Sequence, residues 1–268
     1  MKEELLPAVL PEQRRLQIAA QLRRDARVRV DDLARQYAVS GETIRRDLQV
    51  LEDRGLLRRV YGGAVAQDGR SWEKGIDGRD ITRLDPKRAI AAAAGALVEP
   101  GETVILDAGT TVAEAARALP ATFAGRALCT SVATAGELAS RDGVEVHLAG
   151  GRLRRGDLTC VGSAAERFFA DFFADRAFLA ADGVHASAGI TGERLDEIPV
   201  RQAILRQARE SYVLADSSKL GRVAVGRVCA LSAITAVITD ADADLDVVRA
   251  LEQAGTRVLI APSALGLE

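Results

Sequence analysis

Apolar positions follow two different periods along the chain, and the change from one to the other divides it. Up to Val65 the spacing is helical. Leu16, Ile18, Ala19 and Leu22 predict an amphipathic helix over Pro11–Arg23, and Asp31–Tyr37 a second, whose positive end Asp31 and Asp32 favour. After the short connection Ala38-Val39, Ile44, Leu48 and Leu51 fall at i, i+4 and i+7 and share one face of a third helix. Ser40 precedes it as N-cap, because a serine hydroxyl accepts from an otherwise unpaired first-turn amide. Gly55 suits a left-handed stop, and Leu56–Val60 and Ala64–Ala66 predict two short strands turning through Gly62 and Gly63.

Beyond residue 85 short apolar runs alternate with helical segments. The runs are Thr103–Asp107, Ala127–Thr130, Val144–Leu148, Ala177–Ala181, Tyr212–Ala215, Ala236–Thr239 and Val258–Ile260. Asp85-Pro86 reads as a cap and a first-turn proline opening an alanine-rich helix that ends near Val98, and Val112–Leu119 and Ser163–Phe173 read as further helices. Such alternation predicts a mostly parallel sheet covered on both faces. Residues 66–85, with three glycines, many charges and the lone Trp72, keep no period and read as a linker. The expected organisation is an α/β chain: a winged helix-turn-helix domain over residues 1–65, the linker, and a Rossmann-like, mostly parallel α/β domain over residues 86–268.

Charge then sharpens the picture. Arg45 and Arg46 project outside the apolar stripe of the third helix, on the outer and flanking faces, and Arg58 and Arg59 follow in the hairpin. Two helices joined by a tight turn, the second carrying arginines near its start and followed by a basic hairpin, have the geometry that places a helix in the major groove of DNA. Across residues 1–65 there are 13 Lys and Arg against 10 Asp and Glu, and 23 against 28 in the remainder. So small an excess gives one chain only modest phosphate attraction, which calls for an oligomer, a dimer or tetramer, reading adjacent half-sites.

The remaining composition removes alternatives. Cys129, Cys160 and Cys229 are widely spaced with no C-x-x-C arrangement, and His147 and His185 lack ligand spacing, so neither a disulfide framework nor a metal site is expected. No cofactor is expected either. The amino terminus shows no signal segment and no apolar run approaches about 18 residues, so the expectation is a soluble cytoplasmic protein with no membrane partner.

The stretch VSGETIRRDLQVLEDRGLLRRVYGGAV, Val39 to Val65, resembles the N-terminal signature of the DeoR family of bacterial transcription regulators. Gly41 departs by weakening a first turn without touching the contact positions. The resemblance implies a recognition helix bearing Thr43, Arg45 and Arg46 and a wing bearing Arg58, Arg59 and Tyr61. Ser40 and Gln49 complete the set expected to meet double-stranded operator DNA.

In parallel α/β folds ligands gather at the carboxyl ends of strands. Asp107-Ala-Gly-Thr-Thr111 leaves a strand and enters a helix there, so its amides and hydroxyls suit an anion, though it is neither a dinucleotide fingerprint nor a P-loop. Further polar stops follow at Thr130-Ser131, Gly150-Gly151, Ala180–Gly183 and Asp216–Gly221. This succession resembles the effector domain of the same family, similar in fold to ribose-5-phosphate isomerase. The resemblance implies a phosphate near Gly109, Thr110, Thr111 and the Thr130-Ser131 loop. It places a sugar near Asp107, Asp182, Gly183, Glu197 and Lys219, with Gly150, Gly151, Arg201 and Asp216 around them. Ser131 stands where the family often has Asn, and Arg201 where it often has Lys. The function implied is a repressor of sugar-metabolism genes controlled by a phosphorylated sugar, with no catalytic residue. The alternative is an isomerase-like enzyme with an accessory nucleic-acid-binding domain, using Asp182 and Glu197 as acid and base.

Overall fold

The computed structural model describes residues 11–25, 27–53, 57–60, 62–65 and 83–263, and the chain divides into two compact units, residues 1–81 and 82–268. In the first, α1 (Pro11–Asp25), α2 (Val30–Gln36) and α3 (Gly41–Asp53) bury Ile18, Leu22, Leu33, Ile44, Leu48 and Leu51 against one another. The apolar spacing of the sequence selects Ile18, Leu22, Ile44, Leu48 and Leu51, whereas Leu16, expected on the same stripe, is 54% exposed. The Ser40 cap is present, its hydroxyl accepting from the Thr43 amide at 3.1 Å. Ala38 turns the chain between α2 and α3 in the left-handed region, at φ +52°. The predicted hairpin forms from β2 (Arg58–Val60) and β3 (Gly63–Val65), while Leu56 and Ala66, at its expected outer ends, lie outside the described residues.

A third strand, β1 (Arg27–Arg29), was not expected, because three residues carry no legible period. It pairs antiparallel with β3, Val28 opposite Ala64, and adds Val28 to the core. Gly63 permits that pairing: a Cβ there would lie 2.1 Å from the Val28 carbonyl oxygen. Beneath α3 sits a charge. Asp47 is 1% exposed and accepts from Arg14 Nε at 2.6 Å and Arg15 Nε at 2.8 Å, which fastens α1 to α3.

All seven expected strands of the second unit are present and form one parallel sheet. Its strands are β4 (Thr103–Leu106), β5 (Gly125–Cys129), β6 (Val144–Leu148), β9 (Ala174–Ala180), β12 (Ala208–Leu214), β14 (Ala236–Thr239) and β15 (Arg257–Ile260), in the order β15-β14-β12-β9-β4-β5-β6. Successive residues point to opposite faces. Ile105, Leu128 and Leu179 therefore enter a core with Phe169 and Ile204, whereas Leu106, Cys129 and Phe178 enter the opposite one with Ile90 and Phe123. Apolar matter on both sides explains why the strands read as continuous runs. Helices α4 (Leu84–Gly95), α5 (Thr110–Arg117), α6 (Val132–Ala139), α7 (Ser163–Ala170), α8 (Ile198–Gln207) and α9 (Leu245–Gln253) cover the faces.

Three details differ from expectation. Helix α4 starts at Leu84, with Arg83 as a left-handed N-cap residue at φ +57° and Asp85 inside the first turn, so Asp85 is not the cap. Arg83 is fixed from outside the helix instead: Nη2 donates to Ser217 Oγ at 2.7 Å and lies 3.4 Å from both Asp240 and Asp242, with Nε 3.4 Å from Asp216. Helix α7 ends at Ala170, leaving Phe173 exposed. Two small antiparallel sheets were also unforeseen: the hairpin β7 (Arg152–Leu153) with β8 (Cys160–Val161), and β10 (Gly183–His185), β11 (Gly189–Gly192) and β13 (Gly226–Cys229). No described helix is long and apolar enough to cross a membrane. Residues 66–82, including Trp72 and most of the expected linker, lie outside the described residues.

Candidate functional site

On α3 the burial of Ile44, Leu48 and Leu51 turns Arg45 and Arg46 outward, their side chains 60% and 81% exposed. Arg45 Nη1 donates to Glu42 at 3.3 Å, and Arg46 Nε lies 3.9 Å from the same carboxylate. Exposed pairs of this kind contribute about 0–1 kcal/mol, so both guanidiniums can exchange Glu42 for phosphate or a base edge. Thr43 is half-buried, its Oγ1 2.9 Å from Ser40 Oγ, and Gln49 is half-buried one turn on. Arg59 is tied back: its amide and Nε donate to Glu52 at 2.8 and 3.0 Å, which docks the wing on α3. Arg58 lies in β2, and Tyr61 lies outside the described residues. Asp47 and Glu52 were missed as organisers of this surface. Asp47 had a readable signal, since it stands three residues after Ile44 and therefore within the buried stripe.

In the second unit the strand ends bring four of the expected residues into one buried network. Asp107, directly after β4, accepts from Arg201 Nε at 2.7 Å and from the Ala180 amide at 3.2 Å. Arg201 Nη2 reaches Glu197 at 2.7 Å, and Asp182 receives the Glu193 amide at 2.9 Å. Glu197 stands at the start of α8 without a side-chain cap bond, with Pro199 in the first turn, so one helical turn separates it from Arg201 on the same face. Asp107, Glu197 and Arg201 are 2%, 6% and 3% exposed. Burial alone would pull the Arg201 guanidinium below its ordinary value, but Asp107, Glu197 and Asp182 outweigh it and hold it above. One Arg201 nitrogen, Nη1, is buried without a hydrogen-bond partner, as are the Thr130 and Thr159 hydroxyls.

The Asp107–Thr111 loop has the expected strand-to-helix form. Gly109 adopts φ +150°, and a Cβ there would lie 2.7 Å from Ala180 Cβ, so a side chain would close the loop against β9. Thr110 is half-buried and Thr111 buried in the first turn of α5. Ser131 caps α6, accepting from Thr134 at 3.5 Å, and Gly150 and Gly151 are exposed where β6 gives way to the hairpin. Asp216 belongs to a second set: it accepts from the Ser218 amide at 3.0 Å and faces Arg83. Its loop, with half-buried Lys219, reaches the turn after Asp182, where the Gly221 amide donates to Val184 at 2.8 Å. Gly183 is buried there, and a Cβ on it would stand 2.6 Å from the Arg222 carbonyl oxygen.

Sequence reasoning missed the arginines of the small hairpin and of the loop before α8. Arg154 pairs with Asp157 and Glu197 and lies 3.3 Å from Asp196; Arg152 reaches Asp196 at 2.8 Å; Arg194 pairs with Asp157. Burial opposes the charge on Arg154, yet Asp157 and Glu197 raise its affinity for the proton above the ordinary value. Burial likewise pushes the Cys129 thiol to about 12 and the Cys229 thiol to about 11, so neither supplies a nucleophile at neutral pH. No group of three or more His, Cys, Asp or Glu among the described residues could hold a metal ion.

Known proteins resemble the chain in both units. Residues 14–70 match the DeoR-like helix-turn-helix domain and residues 82–241 the DeoR C-terminal sensor domain. The putative aga operon transcriptional repressor of Escherichia coli O157:H7 is 33% identical over 250 residues, 92% of this chain and 93% of that one. The HTH-type transcriptional regulator GlpR of Haloferax volcanii is 36% identical, covering 86% and 90%. The glycerol-3-phosphate regulon repressor of Escherichia coli K12 is 30% identical, covering 84% and 88%. With an outward arginine pair on a capped third helix, a sensor domain later in the chain and relatives matched over nearly their whole length, this chain belongs to the DeoR family of DNA-binding transcription regulators.

Proposed function

We propose that the chain is a cytoplasmic repressor, acting as a homo-oligomer on operator DNA, whose sensor unit binds a phosphorylated sugar or polyol and thereby changes operator affinity. The observation that carries the effector reading is the buried Asp107–Arg201–Glu197 network beside the Gly109–Thr111 loop. Carboxylates suit hydroxyl donors, while loop amides and hydroxyls suit a phosphate. Two relatives point the same way by name, one a repressor of the aga operon and one of the glycerol-3-phosphate regulon. The isomerase alternative is not favoured. The relatives matched over most of their length are transcription regulators, and Glu197, one of that alternative's two expected acid–base groups, is engaged by Arg154 and Arg201.

The test is a gel-shift titration with an operator fragment. Arg45→Ala and Arg46→Ala are expected to weaken binding by about 1–3 kcal/mol each where a base is contacted, and to flatten the salt dependence where a phosphate is. Unchanged affinity in both would remove α3 from the interface. Wild-type complexes are expected to respond to at least one phosphorylated sugar or polyol, with an effector–operator coupling of about 1–3 kcal/mol.

A further inference from the structure

Each carboxylate that Arg154 touches has a second arginine. Asp157 is also paired with Arg194, Asp196 with Arg152 at 2.8 Å, and Glu197 with Arg201 at 2.7 Å. Arg201 differs, because Asp107 meets no other arginine among the described residues. Arg152, Arg154 and Arg194 can thus each leave without stranding a buried acid, the state that costs most, and Arg154 among them is hydrogen-bonded to Glu197. The position of Arg154 suits a move. The Arg154 amide donates to the Thr159 carbonyl at 2.9 Å, and the Cys160 amide donates to the Thr130 carbonyl at 2.8 Å, so the hairpin lies directly against the Thr130-Ser131 loop. There the Thr130 and Thr159 hydroxyls, both buried, have no partner.

We infer that the β7–β8 hairpin forms a wall of the effector cleft, with Arg154 as the guanidinium that grips the effector's phosphate monoester and Thr159 as a hydroxyl donor to it. On binding, Arg154 exchanges Glu197 and Asp157 for the phosphate. Glu197, still neutralised by Arg201, turns a freed lone pair to a sugar hydroxyl. This rests on the phosphorylated-effector reading above.

The experiment is isothermal titration of the full-length chain with glycerol 3-phosphate, glucose 6-phosphate, ribose 5-phosphate and inorganic phosphate, each beside its unphosphorylated parent where one exists. Wild type is expected to bind at least one phosphate ester. Arg154→Ala is expected to bind it roughly tenfold or more weakly, and Arg154→Lys to recover part of the loss. Arg152→Ala is expected to match wild type. Operator affinity and thermal midpoint of Arg154→Ala are expected to stay near wild type, because its acids keep other partners. Undiminished ester binding by Arg154→Ala sinks the inference alone, and so does a variant that fails to fold. Binding of no ester by wild type overturns the effector reading together with it.

Discussion

Asp47→Ala is expected to destabilise the N-terminal unit by about 3–5 kcal/mol, since it leaves the buried Arg14 and the partly buried Arg15 without the carboxylate between them. A loss of that size is a large share of the whole stability of a unit of residues 1–81. Calorimetry of the full chain should show the transition of that unit falling by about 4–8 °C for each kcal/mol, with operator affinity lost although Arg45 and Arg46 are intact. Arg46→Ala, by contrast, should leave the transition in place while weakening the DNA complex. If Asp47→Ala melts with wild type, the ion pair between α1 and α3 contributes nothing and the outward pose of the arginines depends on apolar packing alone.

Arg201→Ala is the counterpart in the sensor unit. It leaves the buried Asp107 without an arginine partner among the described residues and Glu197 with Arg154, with an expected cost of about 3–5 kcal/mol in the second transition and loss of effector binding. Arg201→Lys separates the two effects. One ammonium cannot span both carboxylates as the guanidinium does, so folding should survive with a smaller loss while ligand affinity falls. A lysine variant with wild-type affinity would mean that positive charge alone, and not the two-sided geometry of Arg201, organises the cleft.

The contrast between these sites shows what a sequence reveals. The inner strands of the large sheet were legible because both faces are buried, which writes an apolar run into each, while the partly exposed edge strands β6 and β15 were legible from shorter or alternating apolar positions. The three-residue β1 and the two-residue β7 and β8 were not, because pairing partners rather than their own residues define them. The outward exposure of Arg45 and Arg46 was legible from the stripe they avoid. Asp107, Glu197 and Arg201 were found through family likeness, and their convergence is long-range: Asp107 and Arg201 stand 94 residues apart in the chain. Arg154 and Arg194 offered no signal, since an arginine in a polar loop looks the same whether solvated or paired. Asp85 misled through its neighbour Pro86. The actual start of α4 is set by Arg83, whose partners lie more than a hundred residues later.

That same Arg83 has a mechanical consequence. It is the first described residue of the sensor unit after residues 66–82, and its guanidinium is moored to Ser217, Asp216 and Asp240 on the rim where β12 and β14 end. The backbone leads from Arg83 directly into α4, while its guanidinium couples the same point of the chain to the loop bearing Lys219. The first turn of α4 and the loop expected to carry effector contacts are thus held by one guanidinium.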